Sequence, residues 1–207
     1  IYCNVPVAAK TIEKVGSVKQ ADVERILSLQ PDLVFTSPLT NRRQVEQMKR
    51  LGLQVVLVGN PDTFDAMCWS FLKIGTRLGQ TGRAQEMISA ATKKVSVISD
   101  QIKQLDKPPV FFQIGMKPLY AVSRQTFMDE YIRLAGGMNI FSDERSGIIS
   151  REMVIAKNPQ VILIAVMGSS KASAKVEKKK WMTYTTMRAV QHHRVHVLDP
   201  ETLCSPT

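Results

Sequence analysis

VERILSLQPDLVFT, residues 23–36, and REMVIAKNPQVILI, residues 151–164, are built alike. In each, a glutamate (Glu24, Glu152) stands seven residues before a proline (Pro31, Pro159), and the proline opens a run of β-branched and aliphatic residues. Proline breaks a helix and pushes the residue before it away from helical angles. Each stretch therefore reads as a short helix that stops ahead of the proline and hands over to a strand. One corner written twice predicts two lobes of similar build.

Reading outward from these corners, helix 22–30 leads to strand 32–36, and helix 41–51 leads to strand 53–58, LQVVLV. Short, continuous, β-branched strands separated by helices are the pattern of a buried parallel sheet with crossovers. From Thr63 the character changes. Residues 63–78 read as a helix broken near Gly79, and residues 82–106 carry Ala84, Met87, Ile88, Ala91, Val95, Ile98, Ile102 and Leu105 at three- and four-residue steps. Pro108 and Pro109 end that stretch, a stiff linker of roughly 35 to 40 Å.

A second alternating region follows. It reads as strand 109–114, loop 115–120, helix 125–135 with a stop at Gly136-Gly137, a short strand 139–141, helix 151–157, strand 160–166, a basic helical segment 171–189 and strand 194–198. The predicted class is α/β: an N-terminal lobe over residues 1–80, a connecting helix over 81–107 and a C-terminal lobe over 108–207.

Asp22 and Ser150 are suited to cap the two corner helices, which puts Glu24 and Glu152 at the second helical position of each. Acids in a first turn offset the helix dipole by about 0.3 to 1 kcal/mol. If the lobes are related, the same two carboxylates also form a two-point dock for a basic partner. Both roles can coexist.

Lys and Arg number 28 against 18 acids, a net charge of +10, which suits an anionic partner. The densest cluster, KVEKKK at residues 175–180, reads as a solvated helix face, since no aromatic or Gly-rich nucleic-acid signature accompanies it. No apolar run reaches the roughly 18 to 20 residues that a membrane span needs; the longest, near Val161–Met167, is strand-sized. No membrane span and no signal peptide are predicted, and the abrupt start at Ile1 suggests a processed or trimmed chain.

Cys3, Cys68 and Cys204 are too few and too scattered for a disulfide framework or a zinc site, and Cys68 reads as core. HHRVH, residues 192–196, brings donors close together in sequence but reads as a loop before a strand, and the ten methionines read as core filling. No catalytic residue and no resident metal or cofactor are predicted. An enzyme reading finds no dinucleotide fingerprint, no phosphate-binding loop and no nucleophile elbow. A basic nucleic-acid module is the remaining rival.

Several stretches in order carry a resemblance: YCNVP (2–6), VGS (15–17) ahead of DVERILSLQPDLV (22–34), LGLQVV (51–56), VFFQIG (110–115), and AGGMNIF (135–141) followed by Ser150-Arg151-Glu152. Together they resemble the substrate-binding proteins of bacterial ABC importers for cobalamin, haem and iron-siderophores, whose two Rossmann-like lobes are joined by one long helix. The cobalamin-binding branch is the nearest match, above all across 110–164.

The resemblance implies a monomeric, extracytoplasmic receptor, periplasmic or lipid-anchored on the outer face of the cytoplasmic membrane, with an ABC importer permease as its partner. It implies that Glu24 and Glu152 meet arginines of that permease. It also implies terminal elements trimmed at both ends. The ligand, a cobalamin, ferric siderophore or haem, would lie between the lobes against Tyr2 and Tyr120. Val18 and the Ser146-Gly147 region stand where two further aromatic contacts would be. Lys117, Arg124 and Arg145 fall in the same predicted loops and suit carboxylate or catecholate oxygens. A phenolate from Tyr2 suits haem iron.

Overall fold

A computed structural model of the 207-residue chain describes residues 7–124, 126–144, 147–166 and 171–203. Two compact units divide the chain, Ile1–Asn60 and Pro61–Thr207.

In the first unit, after a 3-10 turn at Val7–Lys10, come α1 (Val23–Ser28), β1 (Val34–Thr36), α2 (Arg42–Arg50) and β2 (Val55–Leu57). β1 and β2 pair in parallel, Val34 opposite Val55 and Thr36 opposite Leu57. Val23 and Ile26, three residues apart on one face of α1, are buried with Met48 of α2 against Val34, Val45, Leu53 and Val55. The strands are shorter than the predicted 32–36 and 53–58. The ladder opens only where the Val34 N–H reaches the Gln54 carbonyl, at 2.8 Å.

The second unit begins with α3 (Phe64–Arg77) and the 22-residue α4 (Thr81–Ile102), roughly 33 Å long. Of the apolar stripe predicted along α4, Ala84 is buried whereas Met87, Ile98 and Leu105 are exposed. The helix packs chiefly on α3. Then follow β3 (Pro109–Met116), β4 (Leu119–Ala121), α5 (Phe127–Leu134), β5 (Met138–Asn139), α6 (Arg151–Lys157), β6 (Val161–Ile164), α7 (Lys171–Met182), α8 (Arg188–Gln191), β7 (Val195–Val197) and α9 (Pro200–Leu203).

The sheet order is β4-β3-β6-β7, with β5 also on β3; all pairings are parallel except β3 with β4. Alternation along β3 sends Phe111 and Gln113 to one face, Val110 and Phe112 to the other. Phe111, Phe141, Ile162, Ile164, Trp181 and Val195 fill the first face. Val110, Phe112, Val122, Met128, Ile132 and Ala165 fill the second. Phe111 meets the edges of both Phe141 and Trp181, with ring centroids 5.8 and 5.5 Å apart.

The corner at the start of the sequence reading recurs in backbone detail. The Asp22 carboxylate accepts the Arg25 N–H at 3.0 Å, and the Ser150 hydroxyl accepts the Met153 N–H at 3.3 Å. Gln30 and Asn158, each just ahead of its proline, both adopt left-handed angles, φ 47° and 42°. The Asn158 side chain then accepts the Arg188 N–H at 2.9 Å and so caps α8.

Beyond such shifts of strand bounds, with β5 at Met138–Asn139 where 139–141 was predicted, two predicted elements differ in kind. Residues 115–120 form the tip of a β3–β4 hairpin, not a loop, because Gly115 lets Tyr120 approach: a Cβ there would lie 2.8 Å from that of Tyr120. The single helix predicted over 171–189 is two. α7 ends at Met182, and Met187 is extended before α8 restarts under the Asn158 cap.

Candidate ligand site

The β3–β4 hairpin and α7 line an open cavity of about 910 Å³. The hairpin contributes Lys117, Pro118 and Tyr120; α7 contributes Ser173, Val176, Glu177 and Lys180; Ile114 and Val166 add apolar wall. Tyr120 as a residue is 39% exposed and lines the cavity, so its side chain is within reach of a ligand. Gly147 seats the Tyr120 ring from behind: a Cβ at 147 would fall 2.0 Å from Tyr120 Cε1, and its carbonyl accepts the Ala121 N–H at 2.7 Å. The cavity thus offers an aromatic face, apolar walls and two lysine ammonium groups, a lining suited to an amphipathic, negatively charged ligand.

Glu177 is the carboxylate in this lining, and it is 1% exposed. Its Oε1 accepts from Arg151 Nη2 and from Gln113 Nε2, the latter at 3.1 Å, while Lys180 Nζ stands 3.4 Å from Oε2. Gln113 in turn accepts the Trp181 indole N–H at 2.7 Å, and the Arg151 guanidinium lies 4.4 Å from the Trp181 ring centre. Burial opposes ionisation of Glu177. The Gln113 and Arg151 hydrogen bonds, with the charges of Arg151 and Lys180, outweigh burial and hold its carboxyl below the ordinary range.

A carboxyl depressed in the folded state stabilises the protein above its unfolded pKa, near 4.5, and that contribution is lost as pH falls through the lower folded value. Glu177→Gln is therefore expected to flatten the acid limb of stability. Urea unfolding from about pH 6 down to about pH 3 measures the slope; an unchanged slope would show that Glu177 carries none of the linkage.

Glu24 and Glu152 are both exposed, each in the first turn of its helix. The Glu152 carboxyl is held below its ordinary pKa first by its own backbone N–H and then by the Ser150 hydroxyl, so it is ionised at neutral pH.

The sequence profile of the periplasmic binding protein family matches residues 2–202. The chain belongs to that family. Its relatives include a vitamin B12-binding protein of Salmonella typhi, 30% identical over 180 residues and covering 86% of this chain and 66% of the relative. An ABC transporter substrate-binding lipoprotein of Bacillus subtilis is 27% identical over 204 residues, covering 95% of this chain and 63% of the lipoprotein. The chain thus spans just under two thirds of the length of these relatives. Among solved structures, a periplasmic heme binding protein from Pseudomonas aeruginosa superposes with a TM-score of 0.82 at 26% identity, covering 96% of this chain and 74% of that one.

In this member of the family, Lys117 and Tyr120 line one cavity and Gly147 lies against the Tyr120 ring. Arg124 is exposed and does not line that cavity; Val18 is exposed in the first unit. Tyr2, Arg145 and Ser146 lie outside the described residues, as do Cys3 and Cys204. Cys68 is half-buried, and burial, then the nearby Asp65 charge, raises its pKa. His192 and His193 close α8, and among the described residues no three His, Cys, Asp or Glu side chains gather as metal ligands would. No helix among these residues is long and apolar enough to cross a membrane.

The sequence reading passed over Glu177, Lys180 and Arg151. KVEKKK was expected to face solvent, yet Glu177 is buried. Ala174, Glu177 and Trp181 are spaced i, i+3, i+7, one stripe of a helix, and Ala174 and Trp181 are core. That spacing was the available signal.

Proposed function

We propose that this chain is the core of an extracytoplasmic substrate-binding protein that captures a metal chelate and delivers it to an ABC importer permease without chemical change. The observation that carries the reading is the cavity between hairpin and α7, with an exposed tyrosine and two lysines, in a chain of the periplasmic binding protein family. The relatives' names add a vitamin B12 binder and a heme binder, and a lipoprotein of an ABC transporter. The ligand is a cobalamin, a ferric siderophore or haem. The lysines Lys117 and Lys180 favour the anionic members of that set, since an ammonium gains from a carboxylate or catecholate and nothing comparable from a neutral amide. Glu24 and Glu152 are the docking carboxylates. The protein is either free in the periplasm or held to the outer face of the cytoplasmic membrane by lipid.

Titration with hemin, cyanocobalamin and a ferric catecholate siderophore, followed by tryptophan quenching and ligand absorption, tests this. One of the three is expected to bind saturably. Tyr120→Ala removes the stacking face, and Gly147→Ala displaces the ring. Each is expected to weaken binding by about tenfold, the equivalent of roughly 1.4 kcal/mol. Failure of all three ligands to bind would overturn the chelate reading.

A further inference from the structure

Arg151 and Glu152 are neighbours that face different tasks. Arg151 opens α6 and turns inward to Glu177 and the Trp181 ring; Glu152 follows it and remains exposed. Glu177 also lines the cavity, together with Lys180, whose side chain is half-exposed. The cavity wall and the first turn of α6 therefore share one carboxylate.

The two oxygens of that carboxylate are used unequally. Oε1 takes both Arg151 Nη2 and Gln113 Nε2, whereas Oε2 stands 3.4 Å from Lys180 Nζ. Arg151 Nη1 is buried and has no hydrogen-bond partner among the described residues. A guanidinium and a carboxylate prefer a two-bonded fork, and here the fork is half made. An anion in the cavity would draw Lys180 away from Oε2, leaving the carboxylate able to turn that oxygen toward Nη1.

We propose that Arg151 is a positioning residue that, through Glu177, links occupancy of the cavity by an anionic ligand to the fixation of the turn presenting Glu152. An empty cavity leaves Lys180 on Glu177 and Arg151 singly bonded. A filled cavity withdraws Lys180, closes the Arg151–Glu177 fork and stiffens the start of α6. The loaded and empty states then differ at the surface that carries Glu152. The link rests on the docking role proposed for that residue, but its mechanics can be measured without a permease.

Two measurements on the full chain test it: amide exchange of α6, and emission of Trp181 in a Trp69→Phe background. In ligand-free protein, Lys180→Met is expected to slow α6 exchange by about threefold or more and to shift Trp181 emission, as the fork closes beneath the ring. In combination with Glu177→Gln, an isosteric change that removes the charge, the same substitution is expected to alter exchange by less than about twofold. No slowing in Lys180→Met, or equal slowing in both backgrounds, overturns the link. Hemin, which carries two carboxylates, is then added. Bound hemin is expected to slow α6 exchange as Lys180→Met does, and bound hemin without that change overturns the proposal. If hemin fails to bind while the substitutions behave as expected, the link stands and the haem reading of the cavity fails.

Discussion

Replacing Arg151 with alanine is expected to lower the free energy of unfolding by about 3 kcal/mol, near the lower end of the roughly 3 to 5 kcal/mol seen when one partner of a buried ion pair is removed. Glu177, 1% exposed, would keep its charge without its main counter-ion. The lower end applies because Gln113 still donates to it and Lys180 stands nearby. The substitution also strips the cation from the Trp181 face. The companion variant decides the cause. Arg151→Met combined with Glu177→Met removes both charges and fills the volume, and Gln113 retains Gly115 O and the Trp181 indole as partners. It is expected to recover most of the loss, because apolar replacement of a buried pair is commonly neutral or stabilising. Urea unfolding followed by Trp181 emission reads both variants. A loss below about 1 kcal/mol for Arg151→Ala would place the pair among surface ion pairs of little worth.

Reversing both corner charges, Glu24→Arg with Glu152→Arg, is expected to abolish uptake while leaving ligand affinity unchanged. Under the proposed docking role each reversal would turn an attraction to a basic group of the permease into a repulsion, and like charges brought together across an interface cost several kcal/mol, enough for a fall of about 100-fold or more. Stability should change little, since both side chains are exposed and the Asp22 and Ser150 caps are untouched. The small loss of helix-dipole compensation is about 0.3 to 1 kcal/mol per site. Uptake in membranes holding the cognate permease, measured beside a fluorescence titration, separates docking from capture. Intact uptake by the doubly reversed protein would remove both glutamates from the docking role.

The elements that the sequence announced most clearly are those governed by local chemistry. Residues 151–157 were expected as a helix and are one, because Ser150 caps the start and the residue before Pro159 ends it. The same logic placed α1 and the strand after it, though β1 and β2 are shorter than their apolar runs because only part of each run finds a ladder partner. The hairpin at 115–121 was not legible, for its cause is the absence of a side chain at Gly115 opposite Tyr120, which no periodicity records. The split of α7 from α8 was hidden for a similar reason: its cap, Asn158, stands 30 residues away in sequence.

The site follows the same division. Lys117, placed in a predicted loop, and Tyr120, placed by the family resemblance, do line one cavity. Glu177 was not legible, because a charge within a lysine run resembles solvent-facing sequence. The partners that offset its burial, Gln113 and Arg151, lie 64 and 26 residues away, and within the helix only its spacing from Ala174 and Trp181 marked the buried face.

The two corners with their left-handed residues before proline carry one more consequence. Each starts its helix with a cap from within the same turn, Asp22 to Arg25 and Ser150 to Met153, so the turn that carries each acid is set by local sequence. If a partner reads the two acids as proposed, recognition built from two such local signals tolerates drift in the intervening chain, provided that both short phrases survive.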